Sequence, residues 1–239
     1  MGLFSFLTIP EKKTGVNIDL AEELLYAPAL STGEVHDKKL IKILQKCPTR
    51  QAVLDKVIEL CGSPETPRQK YISAIAYIRS KSEHRDNAIR AIELYLAGEP
   101  YDGAFENTVH TWGSKQFTPE EELKIHLAQM YANLGKAYEG KYAYNQALPC
   151  YSKEIELTPF YPGPYCRSSS IHIKKNQLTA AMNVLQHAKK TRYYKPITYK
   201  TIDGDTVTED TFKKVIDNHI LALEKKIEKG YVYTIKKKK

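Results

Sequence analysis

The chain has 239 residues, of which 42% are hydrophobic and 27% are charged, and 17 are tyrosines. This composition is ample for a packed core and excludes a low-complexity or strongly charged disordered chain. The formal net charge is +8, but a terminal run of lysines at 236–239 supplies four of those charges, so the rest of the chain is only mildly basic.

The first residues of the chain and its cysteines indicate in which cellular compartment the protein is expected. The start MGLFSFLTIP lacks the basic n-region of a secretory signal, and Phe6 stands where the myristoylation pattern has Ser or Thr. No apolar run reaches the length of about 18 residues that a membrane span needs. Four cysteines, with no CxxC pair, are typical of free thiols in a reducing setting. The sequence therefore predicts a cytoplasmic protein without a membrane span.

The first hundred residues show helical spacing of apolar side chains. The predicted helices span residues 36–47, 49–61, 67–80 and 86–97. The first follows a candidate capping box at 31–34 and places Leu40, Ile43, Leu44 and Cys47 on one face. Gly62 ends the second helix, as glycine commonly does at a helix C-terminus.

The second part of the chain contains an irregular stretch followed by more helices. Residues 101–117, which include Trp112, contain one short helix at most. Thr118 and Pro119 begin a helix that runs to about Gly140. We expect two more helical stretches before Tyr193, and if Asn145 caps the first of them, Pro149 lies in or just past its first turn. Residues 195–207 then form a loop or small hairpin. A long amphipathic helix over 208–229 carries an apolar face of Phe212, Val215, Ile216, Ile220, Leu223 and Ile227.

Small and bulky residues recur in a fixed register in residues 128–161. Tyr131-x2-Leu134-Gly135-x2-Tyr138 is followed by Ala147-x3-Tyr151 and then by Pro159. This resembles the 34-residue tetratricopeptide repeat, with Tyr in place of Trp and Phe. A second copy, at 162–195, keeps Tyr165, Ala181, Leu185 and Ala188, and a degenerate copy at 67–100 keeps Ala88, Ile92, Tyr95 and Pro100. Small residues such as Gly135 and Ala147 suit a close crossing of two antiparallel helices.

The resemblance implies an all-α fold. The fold that the resemblance implies is a TPR-like α-solenoid of helical hairpins, with the C-terminal helix as its cap. The domain prediction is an N-terminal helical region at 1–66, repeats at 67–194 with an insert at 101–117, and a loop, capping helix and basic tail at 196–239. Two departures from the family pattern stand out. Glu154 occupies a position that is usually alanine, where it either pairs with a nearby lysine or loosens the junction, and Pro149 lies inside a helix.

The family also implies a binding site, because the first helix of each repeat lines a concave groove that holds a peptide or a partner's helix. The candidate groove residues are Gln129, Asn133, Lys136, Cys166, Arg167, Ser170 and Lys174. Further positions on the same face are Ala132, Glu139, Gly140, Gly163 and Ile173. Asn133 and Arg167 can hydrogen-bond a peptide backbone or a carboxylate. The same polar residues are also typical of a solvated helix face. Only Asn133 and Arg167 match the two-carboxylate clamp with which some members bind chaperone C-termini.

We find no sequence signal for an enzyme. The seven histidines form neither HExxH nor a zinc-spaced set, and no phosphate-binding loop or nucleophile motif is present. The leading prediction is a non-enzymatic scaffold or adaptor that uses no cofactor or metal and binds a protein or peptide. One alternative is a nucleic-acid-associated repeat protein that uses the lysine tail and exposed tyrosines. Another is a regulator that senses a peptide.

Overall fold

The protein is described by a computed structural model that covers residues 17–27, 38–104, 111–112, 115–200 and 205–234. The chain divides into two compact units, unit 1 through His84 and unit 2 from Arg85 onward. Most of the described residues are helical, and strands occur there only as two short antiparallel pairs. The predicted all-α class is therefore confirmed. The unit boundary falls inside the range 67–100, and the finer repeat boundaries stay predictions.

Unit 1 contains four described helices. They are α1 (Ile18–Tyr26), α2 (Lys38–Lys46), α3 (Arg50–Cys61) and α4 (Pro67–Arg79). Thr49 caps α3 and Thr66 caps α4 with a full capping box, while Gly62 takes a left-handed φ of 58° after α3. Helix α1 is absent from the sequence prediction, yet it packs against α3 and α4. Its Leu24 and Leu25 are fully buried. The capping box predicted at 31–34 lies outside the described residues.

Unit 2 contains six described helices and the two strand pairs. The helices are α5 (Arg85–Leu96), α6 (Pro119–Gly140), α7 (Tyr144–Leu157), α8 (Gly163–Lys174), α9 (Leu178–Lys190) and α10 (Thr211–Glu228). The strands are β1 (Thr111–Trp112), β2 (Lys115–Gln116), β3 (Ile197–Lys200) and β4 (Thr206–Glu209). The hairpin predicted near 195–207 is confirmed, with Ile197 opposite Glu209. Thr118 caps α6 with a capping box, as expected. A 3-10 turn at Asp102–Ala104 is the helical element of the irregular stretch.

Two local predictions about α7–α9 are wrong. Three helices rather than two lie between Gly140 and Tyr193, because a short segment with Pro159 and Pro162 separates α7 from α8. The N-cap of α7 is Ala143 rather than Asn145, since the Ala143 carbonyl accepts from the amide of Ala147 at 3.1 Å. Pro149 therefore lies well inside α7, on its exposed side.

The turn that joins α6 to α7 has the same backbone geometry as the turn that joins α8 to α9. Tyr142 and Asn176 occupy equivalent places in the repeat register, and both adopt a left-handed backbone, with φ of 61° and 58°. In each turn the amide after the left-handed residue donates to the carbonyl five residues earlier, at 2.9 Å in the first turn and 2.8 Å in the second. This is the Schellman arrangement of a helix C-terminus. The helices that follow the two turns, α7 and α9, also begin at equivalent positions of the register, Tyr144 and Leu178.

Helices α6 and α7 approach closely at Gly135. A Cβ atom at this position would lie 2.6 Å from Cε1 of Tyr151, a side chain that is fully buried. Ala147 in α7 is also fully buried. The small residues of the repeat register therefore lie where two helices meet, as the sequence predicts.

We expect Gly135→Ala to lower the free energy of unfolding by about 1–2 kcal/mol, because overpacking a filled core typically costs more than alanine gains in helix propensity. The two opposing contributions are about 1–3 kcal/mol for overpacking and up to about 1 kcal/mol for propensity. Urea unfolding followed by circular dichroism measures the change. Gly140→Ala in the same helix is the control, because its Cβ would meet the flexible guanidinium of Arg85. A Gly135→Ala variant as stable as the wild type would contradict the close approach.

The last three helices share a core. Helix α10 packs against α8 and α9, and it buries Phe212, Ile216, Ile220 and Leu223. Ile227, expected on the same face, is 44% exposed because it lies in the last turn of α10, beyond the contact with α9. None of the helices in the described ranges is long and apolar enough to cross a bilayer.

Candidate functional site

The candidate binding residues of α6 share one side of that helix. Gln129, Asn133 and Lys136 follow each other at spacings of four and three residues, which places them on adjacent turns. Gln129 and Lys136 are exposed and Asn133 is half-buried. The side chains of Gln129 and Asn133 form no hydrogen bond within the described part of the chain. They are therefore accessible to another molecule.

The candidate residues of α8 divide between two environments. Arg167, Ser170 and Lys174 are half-buried and lie on one side of the helix. Cys166 is only 7% exposed and belongs to the core that α8 shares with α9 and α10. Burial raises the pKa of its thiol to about 11. The inclusion of Cys166 among groove residues is therefore corrected, since its side chain packs inward.

Arg167 pairs with Glu154, which is contributed by α7. The guanidinium Nη2 donates to Oε1 of Glu154, and its carbon lies 5.2 Å from the ring centre of Tyr151. Glu154 is only 6% exposed. Burial raises the pKa of its carboxyl, while Arg167 and, more weakly, Lys136 act to lower it. Oε2 of Glu154 and Nε of Arg167 are buried without a hydrogen-bond partner among the described residues.

Lys174 pairs with Glu139 of α6 in a second ion pair beside the first. The hydroxyl of Tyr151 donates to the other carboxylate oxygen of Glu139 at 2.9 Å. Burial, followed by the charge of Glu139, raises the pKa of this phenol. Lys174 also lies 5.9 Å from the ring centre of Tyr144. Three helices are thus joined by one set of charged and phenolic groups.

We call Glu139, Tyr151, Glu154, Arg167 and Lys174 the polar cluster. Its cations are already neutralised by carboxylates of the same chain. An incoming carboxylate would have to compete with Glu154 or Glu139 for them. Lys136 is exposed and forms no ion pair within the described ranges, and Glu154 acts on it only weakly, so it is more open to a ligand than Arg167 or Lys174.

Sequence reasoning left Glu154 unexplained and expected either a lysine partner or a loosened junction. The structure assigns it an arginine partner, Arg167. In the next copy of the register the equivalent residue is Ala188, which is fully buried. A carboxylate at a buried position that is usually alanine needs a cation nearby, so Glu154 was itself a sequence signal for an ion pair. The repeat register places Arg167 on the next helix, α8, as a possible partner.

A groove on the opposite side of α8 was not predicted. It has a volume of about 440 Å³. Its lining residues are Leu148, Ser152, Ile155, Tyr165, Ser168, His172, Asn183, Val184 and His187. Tyr165, Ser168 and His172 are spaced by three and four residues, about half a turn from Arg167, Ser170 and Lys174. This outer groove therefore shares none of the predicted binding residues.

The described residues show little that favours covalent or metal chemistry. Burial raises the pKa of the Cys61, Cys150 and Cys166 thiols to about 11, which disfavours the thiolate that a nucleophile or metal ligand needs. No group of three His, Cys, Asp or Glu side chains within the described ranges could hold a metal ion. The lysine tail at 236–239 and the side chain of Trp112 lie outside the described residues.

Comparison with protein-family models, with curated proteins and with solved structures finds no match for this chain.

Proposed function

We propose that the chain is a TPR-like helical repeat protein that binds a peptide segment of a partner protein along the side of α6 and α8. The observation that supports this most is the recurrence of the same left-handed turn at Tyr142 and Asn176, one repeat period apart. In a repeat array, the two helices of each hairpin are joined by the same turn, which recurs once per repeat period. In the proposal, α6 and α7 form one hairpin and α8 and α9 form the next.

The packing order of unit 2 supports a stacked arrangement. Contacts run from α6 to α7, from α7 to α8, from α8 to α9 and from α9 to α10, so each helix packs on its neighbour in sequence. In an array, the last hairpin exposes an apolar face that needs a cap. Helix α10 covers this face with Phe212 and Ile216, which fits the role of a capping helix.

The chemistry of the proposed face favours an extended peptide with an acidic group. The amides of Gln129 and Asn133 can each donate and accept hydrogen bonds with a peptide backbone. Lys136 supplies a positive charge that can bind a carboxylate. The binding role requires no cofactor, and the proposed setting is the cytoplasm, because all four cysteines are buried free thiols.

A peptide selection tests this proposal. Peptides selected from a displayed random library on the purified full chain should be enriched in acidic residues. The double variant Asn133→Ala, Lys136→Ala should bind them at least about tenfold more weakly, since each lost hydrogen bond to a charged group costs about 1.5–3 kcal/mol. Fluorescence anisotropy with a labelled selected peptide measures the affinity.

The matched control is Asn183→Ala, Lys190→Ala on α9, where both residues are exposed. This variant should bind the selected peptides as the wild type does. Loss of binding in the control variant, with binding retained in Asn133→Ala, Lys136→Ala, would move the site to the outer groove and refute the assignment to α6. Circular dichroism and thermal melting establish that both variants are folded.

A further inference from the structure

The chain reverses direction after α10 and returns to the turn between α8 and α9. Gly230 has a left-handed φ of 62°, and the amide of Tyr231 donates to the carbonyl of Lys226 at 2.9 Å. The side chain of Lys226 lies 4.4 Å from the ring centre of Tyr231. These contacts end the helix and direct the segment Tyr231–Thr234, which we call the C-terminal segment, away from α10.

Asn176 holds the backbone of the C-terminal segment at one residue. The amide of Tyr233 donates to Oδ1 of Asn176 at 2.6 Å, and Nδ2 of Asn176 donates to the carbonyl of Tyr233 at 3.2 Å. One carboxamide thus satisfies both backbone groups of an extended residue. These two hydrogen bonds hold the backbone, as in the capture of extended peptides, so a preference for one side chain has to come from neighbouring groups.

Tyr144 provides a second contact, to the side chain of the same residue. Tyr233 is half-buried and lies near the Tyr144 phenol, since burial, followed by the neighbouring Tyr233 side chain, raises the pKa of Tyr144 to about 12. The ammonium group of Lys174, a residue of the polar cluster, lies over the ring of Tyr144. The C-terminal segment therefore docks beside one end of the face assigned to peptide binding.

The docking is built from few contacts. Val232 is 67% exposed and Thr234 is also exposed, while Tyr231 and Tyr233 are only half-buried. The C-terminal segment contributes no residue to the core that α8, α9 and α10 share. Two hydrogen bonds to an exposed amide are a small gain in water, so release of this segment leaves the core intact.

We propose that Asn176 and Tyr144 form a subsite for an extended, tyrosine-containing peptide, and that the chain's own C-terminal segment occupies this subsite until a partner peptide displaces it. This inference rests on the proposed function, because it names the chemistry of a peptide bound at one end of the same face. The C-terminal segment then acts as a competitor, whose occupancy lowers the apparent affinity of the partner in proportion to the fraction of molecules in which the subsite is filled.

Binding of the tail sequence in trans tests the inference. The probe is a fluorescent peptide of residues 229–235, KGYVYTI, measured by anisotropy against the full chain. The full-length variant Tyr233→Ala weakens docking in cis but keeps Asn176 and Tyr144. We expect it to bind the probe about tenfold more tightly than the wild type, as for a subsite that is about nine-tenths occupied in cis. The control probe KGYVATI should bind neither protein.

Asn176→Gly is the variant that removes the subsite without strain, because glycine adopts the left-handed φ of this position readily. Combined with Tyr233→Ala, it should abolish probe binding while the melting temperature stays near that of Tyr233→Ala alone. Equal probe binding by the wild type and Tyr233→Ala would overturn the inference, and so would binding that survives Asn176→Gly. A Tyr233→Ala variant that has a lower melting temperature and binds no probe would show instead that the C-terminal segment is a permanent part of the fold.

The two tests separate the inference from the proposed function. Peptides selected on the full chain that depend on Asn133 and Lys136, together with no binding of KGYVYTI to Tyr233→Ala, would refute the inference and keep the proposed function. Binding of KGYVYTI that requires Asn176, with no selected peptide sensitive to Asn133 or Lys136, would refute the assignment to α6 and keep the subsite.

Discussion

The variant Arg167→Met is expected to lower the free energy of unfolding at pH 7 by about 2–4 kcal/mol, because it leaves a buried carboxylate without its cation. Removing one partner of a buried ion pair typically costs about 3–5 kcal/mol, and we reduce this range because 28% of the Arg167 side chain is exposed. The loss arises at Glu154, whose carboxylate stays buried at 6% exposure with no cation to compensate it. Urea unfolding followed by circular dichroism measures the difference.

A double variant shows whether the loss comes from the unpaired charge. Glu154→Gln, Arg167→Met should recover most of the stability, since the uncompensated carboxylate is gone. The loss in Arg167→Met should also shrink on acidification. Burial raises the pKa of Glu154 in the folded state, so the folded protein keeps a proton that the unfolded chain has released, and stability falls as pH rises above about 4.5. If the loss of stability in Arg167→Met does not change with pH, or if the double variant recovers no stability, the unpaired Glu154 carboxylate is not its cause.

Acidification from pH 7 to pH 5 is expected to reduce the stability contributed by His126 by about 2 kcal/mol, as proton linkage requires for a histidine whose pKa is lowered by folding. Burial lowers the pKa of this imidazole to about 4, from 6.5 in the unfolded chain. The unfolded state therefore binds a proton between pH 6.5 and about 4 that the folded state excludes, and stability falls as the pH falls through this window. His126 is 7% exposed, and its Nε2 lies 2.7 Å from the Tyr95 hydroxyl, between α5 and α6.

His126→Gln isolates this contribution, because glutamine can keep a hydrogen bond to Tyr95 but does not titrate. The difference in unfolding free energy between wild type and variant, measured in urea at pH 5, 6 and 7, should narrow or reverse toward pH 5. Parallel pH profiles for the two proteins would exclude His126 as the titrating group.

Local signals were sufficient to predict much of unit 2 from the sequence. Thr118, Pro119 and Glu121 begin α6 by interactions within one turn, so neighbouring residues alone determine that boundary. The register that places Gly135 against Tyr151 is also readable, because glycine and a bulky ring recur at the spacing that a helix crossing requires. These are cases where local preference and tertiary packing agree.

The polar cluster depended on distances that the sequence does not contain. Arg167 was predicted as an open ligand contact, but Glu154 reaches it from the preceding helix and neutralises it. Cys166 was assigned to the groove from its repeat position, yet α10 covers that side of α8 and buries the thiol. Helix α1 was missed because it has only nine residues, and two adjacent leucines weaken its helical periodicity.

The two left-handed turns, at Tyr142 and Asn176, suggest where a segment of this chain could be replaced by another of the same length. Three hydrogen bonds that close the first turn have counterparts in the second, and the two residues share nearly the same φ, so the backbone leaves each turn in a similar way. Neither residue is glycine and the two side chains differ, which means that the turn geometry does not depend on one particular residue type. We therefore expect that a 34-residue segment exchanged at residues 142 and 176 would disturb the backbone path least.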